Sequence, residues 1–144
     1  MRLERCVVLA MVLASAAITS VDAQSLKVRE RMLDQEQELV HDARSTQREC
    51  EANFPIAFDW TGVPEDKLSQ FSQEAYCDAA LTALRRLCGD KLGKKSVQDK
   101  IKKVTCGFGA ERAVSLKDGA LEYKMSYPST DNADFVYKYL ENNL

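Results

Sequence analysis

The chain holds little of the material from which catalytic and phosphate-binding sites are usually built. Its 144 residues include one histidine, one tryptophan, six glycines and three prolines. No Walker loop, G-x-S-x-G elbow, H-E-x-x-H helix or EF-hand loop occurs. The glycines of Cys106-Gly107-Phe108-Gly109 precede a strand pattern rather than a helix, so they do not mark a phosphate site. No C-x-x-C pair is present, which argues against a structural zinc centre. No N-x-S/T sequon is present either, so no glycan hints at the host. Only one long apolar run exists, at the extreme N-terminus, which excludes a multi-span membrane protein. No internal repeat or low-complexity linker appears.

What is present starts with that N-terminus. Arg2 and Arg5 precede the apolar run CVVLAMVLASAAI, and small residues Val21 and Ala23 stand before Gln24. This is the pattern of a secretory leader over residues 1–23, cleaved between Ala23 and Gln24. The run is shorter than the ~20 residues a spanning helix needs, so no membrane span is expected after cleavage. The sequence therefore reads as that of a secreted or periplasmic protein.

Export changes the cysteine arithmetic. Cys6 leaves with the leader, and Cys50, Cys77, Cys88 and Cys106 remain, an even set in an oxidising compartment. Two disulfides follow, with three connectivities open. Cys77 and Cys88 lie on one expected helix, ~16 Å apart along its axis at 1.5 Å per residue. A disulfide tolerates Cα separations of only ~7 Å, which removes that pairing. Between the remaining two, a helix that ends at Cys50 and turns back through a short strand suggests an antiparallel neighbour. That favours Cys50–Cys77 with Cys88–Cys106 over Cys50–Cys88 with Cys77–Cys106.

The mature chain reads as one α+β domain, an N-terminal amphipathic helix (24–52) joined to a compact unit (53–144). In the helix, Leu26, Leu33, Val40 and Ala43 form a thin apolar stripe expected to lie against the domain. Phe54-Pro55 ends the helical pattern, and Ile56, Phe58 and Trp60 alternate as a short strand. Pro64 opens a helix expected to run unbroken to Leu87, closed by Gly89. Ser96-Val97-Gln98-Asp99 resembles a capping box for a short helix.

From Val104 the period switches to two. Asp118-Gly119 marks a hairpin that sets Leu116 opposite Leu121 and Val114 opposite Tyr123. The expectation is a small antiparallel meander over 104–127, which the 56–60 strand can join, with helices on one face. Phe135, Val136, Tyr139 and Leu140 make a closing amphipathic helix.

Net charge is −2, and leader cleavage removes two residues of each sign and leaves it unchanged. Its distribution is uneven. Lys91, Lys94, Lys95, Lys100, Lys102 and Lys103, opposed only by Asp99, give residues 91–103 a charge of +5. That segment is the candidate binding site, for anionic lipid headgroups, polysaccharide or an acidic protein. It lacks aromatics for base stacking and arginines for bidentate base contacts, so nucleic acid is not the expected partner. His41 beside Asp42 reads as an exposed helical histidine rather than a general base. Phe54, Phe58, Trp60, Tyr76, Tyr123, Tyr127, Tyr137 and Tyr139 read as core and near-core packing more than as a groove. No catalytic residue, metal ligand or cofactor motif is assigned. The expected function is that of an exported, disulfide-stapled binding module for a protein or anionic envelope component. A small carboxylate-dependent hydrolase and an envelope assembly protein are the alternatives.

Overall fold

A computed structural model describes the backbone of residues 18–144 and the side chains from Leu26 onward. The expected leader thus lies largely outside the described residues, and 18–23 form the first turns of a helix. In chain order the elements are α1 (Ile18–Cys50), β1 (Ile56–Asp59), α2 (Glu65–Gln70), α3 (Gln73–Leu87) and α4 (Lys91–Lys100). They continue with β2 (Lys103–Phe108), β3 (Ala113–Lys117), β4 (Ala120–Met125) and α5 (Asn132–Asn143). The class is α+β. Among the described residues no helix is long and apolar enough to cross a membrane.

The sheet is mixed rather than an antiparallel meander, with strand order β1-β2-β4-β3. The β3–β4 hairpin forms in the register read from the sequence, Leu116 opposite Leu121 and Val114 opposite Tyr123. Asp118 and Gly119 both adopt positive φ (51° and 82°), as a two-residue type I′ connection demands. Strand β4, however, lies between its hairpin partner and β2, pairing with β2 in parallel. Composition explains the order. Leu121, Tyr123 and Met125 are fully buried, whereas Val114 and Leu116 are only half-buried, so the more apolar strand takes the inner place. The β1 strand does join, parallel to β2. Rows such as Phe58, Cys106, Tyr123 and Val114 face the helices. On the opposite face Ala57, Glu122, Lys124, Ala113 and Ser115 are exposed.

Helices α1 and α3 run parallel, not antiparallel. Gln35 meets Gln73 and Glu74, Thr46 meets Arg85, and Cys50 is bonded to Cys88, a constant offset of 38 or 39 residues. Strand β1 carries the chain back along α1, and the turn into α2 reverses it again. Two reversals restore the original direction. The expectation of an antiparallel pair counted only one.

That parallel alignment corrects the disulfides. They are Cys50–Cys88 and Cys77–Cys106, with Cα separations of 5.1 and 5.7 Å. The first joins the ends of α1 and α3. The second joins the first half of α3 to the middle of the sheet.

Three local readings also change. Phe71 and Ser72 are extended, which splits the expected 64–87 helix in two. Ser72 accepts a hydrogen bond from the Ala75 N–H and so starts α3. Helix α4 starts at Lys91, because Asp90 accepts from the Leu92 and Gly93 N–H groups at 2.8 and 2.9 Å; Ser96 therefore sits inside the helix and caps nothing. Lastly, α1 packs through Leu39, Ala43, Thr46 and Cys50, while Leu26, Leu33 and Val40 of the expected inward stripe are exposed.

Candidate functional site

The basic segment folds as helix α4, its C-terminal loop and the start of β2, and the structure divides its lysines by partner. Lys94 is held 2.8 Å from Glu51, at the end of α1. That lysine's hydrogen bond and charge lower the Glu51 carboxyl pKa. Lys95 pairs with Asp99 one turn along at 2.9 Å. Lys100 donates to the main-chain oxygen of Leu144, and Lys102 to the Gln98 carbonyl. Lys91 and Lys103 are exposed on the surface. Sheet pairing adds a residue the linear segment did not contain. Lys103 aligns with Ala120 and Ala120 with Lys117, so Lys117 joins the basic row two strands away, roughly 10 Å at the ordinary strand spacing.

The scaffold beneath this corner is stiff. Gly93 lies so close to α3 that a Cβ there would come within 2.1 Å of the Leu87 carbonyl oxygen. Gln98 donates to the main-chain oxygens of Cys50 and Glu51, tying α4 to the end of α1. At its far end the Lys102 and Lys103 N–H groups both donate to the Gly119 carbonyl in the hairpin turn.

A second cluster lies where α1 meets the start of α3. Gln37, Glu38, His41, Asp42 and Glu74 line an open hollow of about 420 Å³. Burial, followed by a hydrogen bond with Asp42 and the nearby charges of Asp42 and Glu38, pushes the Glu74 carboxyl up to about 7. Its hydrogen bond with Ser72 acts the other way. Glu74 can thus hold its proton up to near neutrality. His41 is exposed, in keeping with the structural reading of its sequence position.

The aromatic residues do not assemble into one groove. Phe54 and Tyr123 are fully buried, and the Tyr139 hydroxyl oxygen on α5 accepts from the Leu116 N–H at 2.9 Å. Tyr137 lies under the Arg86 guanidinium. Tyr76 and Tyr127 pack instead with Phe71 and Phe108, residues the sequence reading did not group with them. Gln73 Oε1 and the Tyr123 hydroxyl are buried without a hydrogen-bond partner.

Among the described residues no cluster of His, Cys, Asp and Glu has the arrangement of a metal site. Compared with protein-family models, curated proteins and solved structures, the chain matches none, so the functional reading rests on its own geometry.

Proposed function

We propose that this chain is an exported, disulfide-stapled binding module that presents the basic α4 corner to an anionic component of the cell envelope or the medium. The observation that carries the reading is the concentration of Lys91, Lys95, Lys102, Lys103 and Lys117 on one stiffly held, exposed corner of a chain whose net charge is −2. A polarised protein of this kind is attracted through one face and repelled through the others, which fixes its orientation on a polyanion. Two cysteine pairs at bridging distance support an oxidising compartment. The leader pattern supports export, with cleavage between Ala23 and Gln24.

The test is retention on immobilised heparin and on anionic vesicles across a salt gradient. Replacing Lys91, Lys95, Lys102 and Lys103 with Gln should abolish most of the retention and flatten its salt dependence, with the thermal melt unchanged. Equal retention of variant and wild type on both supports overturns the proposal.

The exposed residues Leu26, Leu33 and Val40 favour a second reading, assembly through α1. They recur every seven residues, so they share one outward stripe. Sedimentation should then show an oligomer that Leu33→Gln dissociates. A carboxylate-dependent hydrolase finds its candidate in Glu74 and Asp42. Both carboxylates line the same open hollow.

A further inference from the structure

Lysines answer to any polyanion, but α4 also displays Leu92. It is 79% exposed, the most exposed large apolar side chain among the described residues. Single exposed leucines on flexible loops are commonplace, since they can fold back on the surface. Leu92 cannot. Its own N–H is bound by Asp90, and the next residue, Gly93, is pressed against the Leu87 carbonyl. Cys88, four residues upstream, is bonded to Cys50. The backbone on both sides of Leu92 is therefore fixed, and the side chain points away from the domain.

Its neighbours are cationic. Lys91 precedes it, and Lys95 follows at i+3 on the adjoining part of the helix surface. The carboxylates around the corner are already engaged: Asp90 caps the helix, Asp99 pairs with Lys95, and Glu51 pairs with Lys94. Lys100, Lys102 and Lys103 extend the positive field from the other end of α4. An apolar tip flanked by Lys91 and Lys95 gains little from a sulfated or carboxylated polymer, which offers nothing to bury a leucine. A bilayer with anionic headgroups offers both, phosphates for the ammonium groups and an acyl boundary beneath them.

We propose, building on the polyanion reading above, that the anionic component is a lipid bilayer. Leu92 enters the boundary between headgroups and acyl chains, Lys91 contacts the phosphates beside it, and Lys95 does so by exchanging its exposed pair with Asp99. One leucine and a few lysines give weak, reversible, salt-sensitive attachment rather than a permanent anchor. The acidic remainder of the chain, about −7 after leader cleavage, is repelled by the same surface and keeps the molecule standing on α4.

The experiment uses the oxidised chain with three supports: phosphatidylglycerol-rich vesicles, pure phosphatidylcholine vesicles and heparin. Wild type should sediment with the first and not the second. Leu92→Gln should lower that partition about tenfold, as expected from losing one leucine's burial, and leave heparin elution unchanged. Lys91→Gln with Lys95→Gln should weaken both. A Leu92→Trp variant in a Trp60→Phe background should show a blue-shifted emission on the anionic vesicles. Vesicle binding by Leu92→Gln equal to wild type overturns the proposal. Heparin binding without vesicle binding overturns it too, while sparing the polyanion reading; failure on all supports removes both. Self-association that Leu92→Gln abolishes would assign the leucine to a second copy of the chain and likewise overturn the lipid assignment.

Discussion

The two ends of α3 are held in different ways. Its start is held from inside. Gln35, buried on α1, accepts from the Gln73 and Glu74 N–H groups at 2.7 and 3.3 Å, so one helix caps the next. Cys77, in the second turn, is bonded to Cys106 at the centre of the sheet. Its finish is held from the rim, by the Cys50–Cys88 bridge, by the Gly93 contact and by α4 lying across the end of α1. The first arrangement commits Gln35, Gln73 and Cys77 to internal contacts. The second fixes the backbone with few side chains, so the outward residues of α4 are free to be lysines and a leucine. Stiffness supplied by a covalent bridge is what lets that corner be polar and still well defined.

The largest effect should come from removing the bridges, and it should not be equal. Chain entropy barely separates them, because their sequence separations are 38 and 29 residues. All four cysteines are buried, but position separates them: Cys77–Cys106 ties α3 to the sheet, whereas Cys50–Cys88 joins two helix ends. Cys77→Ala with Cys106→Ala opens a void between α3 and the sheet, and we expect a loss of about 4–5 kcal/mol. Cys50→Ala with Cys88→Ala, at the rim, should cost about 3 kcal/mol and release the α4 corner. Non-reducing peptide maps and urea melts of the two double variants decide the order. A larger loss from the rim pair would show that the contact of α4, through its buried Val97, carries more stability than the α3–sheet contact.

Next in size is the cross-helix cap. Gln35→Ala leaves two N–H groups at the start of α3 without their partner, one of them in the buried interior, and should cost about 1–2 kcal/mol. Gln35→Glu tests whether a carboxylate serves as well, against the repulsion of nearby Glu74 and Asp42. Urea melts at matched pH give both numbers.

The same end carries a pH dependence near neutrality, whereas at the rim the lowered Glu51 carboxyl responds only in acid. The Glu74 carboxyl titrates at about 7 in the folded chain against an ordinary 4.5, so between those values the folded state binds the extra proton. Stability from this group is complete below about 4.5 and is lost as pH rises through about 7. Because Glu74 remains substantially solvated, the change should be only about 1 kcal/mol after discounting for screening. Glu74→Gln should flatten the stability profile between pH 5 and 8, read by thermal melts. A profile unchanged by the substitution would place the coupling elsewhere.

How much of this was readable from the sequence depended on range. The hairpin register followed from Asp118-Gly119 and the alternation around it, because a two-residue turn leaves the strands no freedom to slip. The pairing of β4 with β2 involves residues joined through a long excursion, and no local signal carries it. The disulfides were lost at the same point, since their pairing turns on the direction of α3 relative to α1. The break at Ser72 and the start at Asp90 did have local signals, a serine and an aspartate each able to cap the turn that follows. The wide apolar pattern across 68–87 and the Ser96 capping box outweighed them. At the candidate site the six lysines were plain, whereas Lys117 came from sheet pairing and the isolation of Leu92 from the packing of Gly93.

The smallest expected effect sharpens the rim side of the comparison. Glu51 ends α1 with a φ of 51°, and the Ala52 and Glu51 N–H groups return to the Gln47 and Arg48 carbonyls. That is a Schellman ending, which glycine satisfies without the steric cost of a side chain at positive φ. Glutamate there is conformationally unfavourable, and its compensation is an exposed pair with Lys94, a kind of contact that contributes little. Glu51→Gly should therefore raise Tm by about 2–4 °C, the relief slightly exceeding the lost pair and the added freedom of the unfolded chain. It should also free Lys94 and strengthen binding to anionic vesicles. Glu51→Gln separates the two causes, because it keeps the strained backbone and removes the charge: binding should rise as in the glycine variant while Tm does not. A drop in Tm for Glu51→Gly would mean that the Glu51–Lys94 pair, rather than the bridge and the glycine contact, holds α4 against the end of α1.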